Sequence, residues 1–202
     1  MEHKVNSAFA IWITGLPASG KSTLTAALKT QFSKRGVDVA LLESDVLRRV
    51  LTPHPRYDEE ERRLFYHQMT WIGTLLTTHG VPVIFDATAN RRAYREEARA
   101  DIARFLEVYV ATPLEVCISR DPKGIYRRGR EDASGSVPGI QALYEPPLNP
   151  DVLIHGDRDA PASAAQRVIA KLLERGFLSP EEAQREEPRG GDHDQGSRLP
   201  MQ

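Results

Sequence analysis

Only one of the 202 residues is cysteine, Cys117. A single thiol excludes an intramolecular disulfide framework and any zinc site resting on several thiolates, and such usage suits a reducing cytoplasm. Long hydrophobic runs are also missing. The opening MEHKVNSAFAIWITG has an apolar stretch far short of the ~20 residues of a helical span, and it has no small-residue cleavage site. A cytoplasmic location with no membrane partner is the expectation. Neither sign of charge dominates: 27 Lys and Arg stand against 28 Asp and Glu, a net charge of -1. That lacks the basic balance that would make nucleic acid the default partner, so no nucleic acid is expected. No internal repeat is visible.

What is present suits one domain with one substantial core, 40% hydrophobic and 27% charged. Ala8 to Thr14 is a short apolar run ending at Gly15, and Leu24, Ala27, Leu28 and Phe32 then recur at helical spacing. Val37 to Leu42 reads as a second strand. A helix is expected from Glu60 to His79 and a strand from Val81 to Phe85, running into Asp86. A helix from Arg92 to Phe105, a strand from Leu106 to Val110 and a helix from Pro113 to Arg120 continue the alternation. Val152 to Ile154 and Ala160 to Arg175 supply a last strand and helix. Strands alternating with helices predict an α/β fold, a parallel sheet covered on both faces with its ligand at the carboxyl ends of the strands. Asp121 to Pro150 is rich in charge, Gly and Pro, has no core face, and reads as a lid. The domain is thus expected over residues 1–178, with a lid at about 121–150 and a disordered tail over 179–202.

Gly15, Leu16, Pro17, Ala18, Ser19, Gly20, Lys21, Ser22 and Thr23 read GLPASGKST. This fits G-x-x-x-x-G-K-[ST] between an apolar strand and a helix, the context that a phosphate loop requires. Glycines let backbone N–H groups converge on phosphate, Lys21 neutralises the β and γ phosphates, and the Ser22 hydroxyl ligates Mg2+. ATP with Mg2+ is the expected cofactor pair. A GTPase should carry N-K-x-D, which is nowhere in the chain. Transfer to a hydroxyl needs a carboxylate at the acceptor, cations around the moving group and exclusion of water. Asp45, just past the second strand, is the candidate carboxylate, with a helix cap as its plain alternative. Asp86 ends a strand as a magnesium-holding aspartate does. Arg48, Arg49, Arg62, Arg63, Arg91, Arg92 and Arg95 leave the same rim, and guanidinium forks suit phosphate and sulfate. Lys123, Arg127, Arg128 and Arg130 lie in the lid. Cys117, Trp12 and Trp71 read as core, and His193, between two aspartates of the tail, carries no zinc expectation.

TPLEVCISRDPKGIYRRGR (Thr112 to Arg130) and YEPPLNP (Tyr144 to Pro150) are similar to the T-P-L-E-V-C-x-x-R-D-P-K-G-x-Y and Y-E-x-P-x-N-P stretches of the adenylylsulfate (APS) kinase family of P-loop kinases. With the phosphate loop, Asp45 and Arg48, and Arg92 and Arg95, the resemblance runs from about Ile11 to Leu178. It implies ATP-dependent phosphorylation of the 3′-hydroxyl of APS in sulfate assimilation, giving PAPS. A small nucleotide is the partner it implies, and a homodimer is compatible with it. By the same resemblance Asp45 is the catalytic aspartate and Lys21 its partner on the donor. Arg48, Arg62, Arg92 and Ile140 meet the acceptor, and Arg120 and Lys123 close on ATP.

Departures gather in the acceptor half. Glu43-Ser-Asp-Val46 replaces D-G-D-N, Leu64-Phe-Tyr-His-Gln68 replaces E-N-I-R-R, and Ala87-Thr-Ala-Asn90 replaces F-I-S-P. Gly135-Ser-Val-Pro-Gly-Ile-Gln141 replaces K-G-F-T-G-I-D, removing a lysine and the phenylalanine that would stack on the acceptor's adenine. Stacking on an aromatic platform contributes ~1–3 kcal/mol per base, and Phe65, Tyr66 and Tyr57 are the candidate replacements. FDATANRR also reads like the D-A-T-N-x-x-R segment of P-loop kinases acting on nucleic-acid ends or small hydroxyl compounds. Two alternatives therefore stand beside APS: another nucleotide or small hydroxyl acceptor, and an ATP-binding module without transfer.

Overall fold

Unbroken apolar strands must be covered on both faces, and the computed structural model, which describes residues 8–131 and 136–179, has that architecture. Beyond Ser179 the expected tail, with His193, lies outside the described residues, as does Gly135. β1 (Ala10–Thr14), β2 (Ala40–Glu43), β3 (Val83–Asp86), β4 (Phe105–Val110) and β5 (Val152–Ile154) form one parallel sheet in the order β2-β3-β1-β4-β5. Central β1 is buried throughout, and its alternate side chains serve two cores. Ile11 and Ile13 pack with residues of α1 (Lys21–Lys34) and α7 (Pro161–Glu174). Ala10 and Trp12 pack with α3 (Glu59–Thr78) and α4 (Arg92–Asp101). Trp12 stacks on Phe85 at 4.5 Å between ring centres. There α3 crosses so closely that a Cβ on Gly73 would lie 2.1 Å from the Phe85 ring.

Several boundaries differ from the sequence reading. Phe105 starts β4 and does not end α4, because the chain turns extended at Ile102, whose buried side chain fastens the connection. α2 (Ser44–Leu51) follows β2 directly, so Asp45 sits in a helical first turn and caps nothing. Trp71 is a correction: it lies on the outer face of α3, 61% exposed, in a stripe with Leu64 and Leu75. After α5 (Leu114–Arg120) the lid contains a further helix, α6 (Ile125–Glu131), which buries Tyr126 and Gly129. One buried tyrosine in seven residues leaves too little periodicity to read. All five strands end at one edge, and there the chemistry gathers.

Candidate active site

The donor end is made by the turn between β1 and α1. Gly15 at φ 154 and Gly20 at φ 106 occupy backbone that L side chains avoid. A Cβ at Gly15 would also lie 2.6 Å from the Val110 carbonyl oxygen. The loop is pinned from outside by the Thr112 hydroxyl on the Ser19 carbonyl at 2.8 Å and by the Tyr126 hydroxyl on the Pro17 carbonyl at 3.0 Å. Gly156, after β5, approaches so closely that its Cβ would stand 2.2 Å from the Ser19 carbonyl oxygen. The Lys21 ammonium donates to the carbonyls of Gly15 at 3.2 Å and Leu16 at 2.9 Å. Burial lowers its pKa, with Asp86 the chief group working the other way. Asp86 is buried and accepts from the Thr25 hydroxyl at 3.2 Å. Ser19 Oγ is buried with no partner among the described residues.

A cavity of about 1190 Å³ joins this loop to the acceptor end. Pro17, Ala18, Gly20, Lys21, Ser22 and Thr23 line it at one side, with Asp86, Arg120 and Lys123. Asp45, Arg48, Arg62 and Tyr57 line it at the other. Gly15, Leu16 and Ser19 lie behind the lining as loop framework. Arg92 and Ile140 are not brought to the cavity: Arg92 donates to the Pro146 carbonyl at 3.2 Å, and Ile140 is exposed in the turn beyond Pro138. The two ends meet where Lys123 pairs with Asp45 at 2.5 Å, a contact that raises the lysine's pKa.

The two acceptor-side arginines differ. Arg62 is bound by protein: Nε donates to the Tyr57 carbonyl at 2.9 Å and one terminal nitrogen to Ser136 O and Oγ at 2.6 and 2.9 Å. Burial lowers its pKa, and neighbouring Arg48 adds to that. Arg48 makes one side-chain bond among the described residues, to Glu61 at 3.1 Å, and its guanidinium carbon lies over Phe65 with 3.9 Å to the ring centre. Its remaining N–H groups have no protein acceptor there. Of the three candidate aromatics, Phe65 and Tyr66 are core. Tyr57 is 42% exposed, at φ 58, with Arg48 and Arg62 over its ring at 5.0 and 5.5 Å. A bulky residue in left-handed backbone is strained and concentrates at functional sites.

Glu61, Ser136, Thr112 and Gly156 were not singled out by sequence reasoning. Glu61 has the look of an ordinary helix-start acid, and the others act only through contacts with distant segments. Cys117 is buried and its thiol pKa is pushed up by that burial, which suits a core role.

A family model, Adenylylsulphate kinase, matches residues 7–155. The chain belongs to the adenylylsulphate kinase family. It is 38% identical over 168 residues to an adenylyl-sulfate kinase of Microcystis aeruginosa, spanning 83% of this chain and 93% of the relative. A probable adenylyl-sulfate kinase of Pyrococcus abyssi is 37% identical, over 84% of this chain and 98% of its own length. Among solved structures, an APS kinase of Mycobacterium tuberculosis in complex with AMPPNP and APS is similar at TM-score 0.76 and 31% identity, covering 83% and 98% of the two chains. A sugar kinase from Janibacter, at 18% identity and TM-score 0.59, shares the fold alone. As a member of this kinase family the chain is an ATP-dependent phosphotransferase of the α/β P-loop fold.

Proposed function

We propose that the chain transfers the γ-phosphoryl group of ATP to the 3′-hydroxyl of APS, giving PAPS, the second step of sulfate activation. The observation that carries this reading is the acceptor end of the cavity. There a buried guanidinium, Arg48, whose remaining N–H groups have no acceptor among the described residues, stands beside an exposed, strained ring, Tyr57. A cation for the phosphosulfate and a face for the adenine are what that acceptor requires. Tyr57 thereby takes over the work of the absent phenylalanine.

In the reaction the bond from the γ-phosphorus to the β,γ-bridging oxygen breaks, a bond to the 3′-oxygen forms, and the hydroxyl proton passes to Asp45. Lys21 leaves the loop carbonyls for the phosphates, and phosphate also draws Lys123 from Asp45, freeing the carboxylate for the acceptor. Arg120 adds positive charge on the donor side. Ser22 and Asp86 are hard oxygen donors of the chemistry Mg2+ prefers. When bound, Mg2+ neutralises charge on the β and γ oxygens. Residues 1–178 act as one domain in this reading, with residues 121–150 as its lid.

A cytoplasmic location and self-association belong to the same proposal. No described helix is long and apolar enough to cross a membrane. A hexameric APS kinase from Thiobacillus denitrificans is similar at TM-score 0.62 and 25% identity, and the Leu64, Trp71 and Leu75 stripe offers a face for a second copy. Trp71→Asp should then release monomers in sedimentation; a monomeric wild type would remove the dimer.

Purified protein with Mg-ATP, with and without APS, tests the reaction, using Lys21→Ala as blank and gluconate and shikimate as control acceptors. APS-dependent ADP release with PAPS as product is expected. No response to APS in protein that still binds ATP would contradict the assignment.

A further inference from the structure

Glu61 stands in the first turn of α3, yet it is buried at 9% exposure. An acid in a helical first turn ordinarily faces water and interacts with the helix dipole. Here each carboxylate oxygen has a different task. Oε1 accepts from the Arg48 guanidinium at 3.1 Å, both side chains being about nine-tenths buried. Oε2 accepts the backbone N–H of Arg56, the residue before Tyr57. The same short stretch is closed by three more bonds: Glu61 N–H to the Asp58 carboxylate at 2.8 Å, Arg62 N–H to the Asp58 carbonyl at 3.0 Å, and Arg62 Nε to the Tyr57 carbonyl at 2.9 Å. Tyr57 is thus held at φ 58 by ties on both sides of it.

We infer that Glu61 is a positioning residue for the acceptor, one carboxylate that orients the Arg48 guanidinium and fixes the turn presenting the Tyr57 ring. The inference rests on the proposed acceptor reading for its consequence, but its geometry stands without it. Among the described residues the Arg48 side chain has a single acceptor, so without Glu61 its position over Phe65 is held by packing alone. A side chain held by one carboxylate and a ring face presents its other N–H groups in a fixed direction, which lowers the ordering cost of binding an anion. Strained backbone persists only where its surroundings over-determine it, and the Glu61 bond to the Arg56 amide is one of the determinants at Tyr57. Glu61 does not line the cavity and acts through Arg48 and the Tyr57 turn, so its loss should raise KM for the acceptor and leave KM for ATP in place.

Three variants read this out: Glu61→Gln, Arg48→Met and the double variant. Glu61→Gln should raise KM for APS at least tenfold, with KM for ATP within twofold of wild type. In the double variant the loss should exceed that of Arg48→Met alone yet fall at least threefold short of the product of the two single losses, because Glu61 acts partly through Arg48 and partly through the Tyr57 turn. Losses that multiply, or an unchanged KM for APS, would overturn the inference. Amide hydrogen exchange gives a second reading that needs no acceptor. Protection over residues 52–58 should fall at least tenfold in Glu61→Gln while the sheet amides keep theirs, and unchanged protection would overturn the positioning role. A wild type inactive on APS would sink the acceptor assignment alone, since the exchange experiment still decides whether Glu61 holds the turn.

Discussion

At the donor end of the cavity the framework that meets phosphate belongs to consecutive residues, Gly15 to Lys21, whereas at the acceptor end it comes from separate segments that touch only after folding. Donor geometry is a property of backbone: two glycines at positive φ, a helix start and one lysine. Acceptor geometry is a property of side chains. Arg48 reaches Glu61 across 13 residues of sequence, and Arg62 reaches Ser136 across 74. A backbone device tolerates almost no local variation, and a side-chain device can be rebuilt from other residues if the same charge and ring arrive at the same place. The two ends of this cavity have diverged from the family's strings to those different extents.

Removing a donor cation should break the comparison most completely: Lys21→Ala is expected to abolish transfer even with both ATP and APS raised to saturation, measured as ADP release. Asp45→Asn should lower kcat by ~10²–10⁴, the range of positioned proton transfer, with ATP affinity from calorimetry little changed. Unchanged turnover would remove Asp45 from the mechanism. Tyr57→Ala should cost ~1–3 kcal/mol of acceptor binding, read as KM for APS rising about 5- to 150-fold with KM for ATP constant. Gly73→Ala tests the fold alone. Its methyl group meets the Phe85 ring, so a thermal melt should show a loss of ~1–3 kcal/mol from overpacking while KM values stay put. Smallest is Lys123→Ala: both partners of its pair with Asp45 are more than half exposed, so stability should change by no more than ~1 kcal/mol. ATP binding should weaken only a few-fold.

Much of the architecture could be read in advance because the strands are short, mainly apolar runs, three of them closed by glycine or acid as in Val83–Asp86, and the long helices keep their period. α6 escaped because its one fully buried tyrosine, Tyr126, is fastened to the Pro17 carbonyl and not to a periodic core face. Trp71 misled because an aromatic at helical spacing is ordinarily core, whereas here the core face of α3 is taken by Phe65, Tyr66 and Met69. In the site, Lys21 and its loop were legible as a string. The Lys123 to Asp45 pair joins residues 78 apart, and the choice of Tyr57 over Phe65 depends on burial, which no local pattern records. Glu61 was invisible for a related reason, since its neighbours in sequence, Glu59 and Glu60, are acids that remain in solvent.

The central claim is that an acceptor site built from Arg48 and Tyr57 receives APS beside an intact donor loop. Calorimetric titration of APS into protein saturated with ADP and Mg2+, for wild type and Tyr57→Ala, tests it most directly. The account requires one site per chain in wild type and at least fivefold weaker binding in the variant, with ADP affinity equal in both. Equal APS affinity in the two proteins, or no APS binding by wild type that binds ADP, would contradict it.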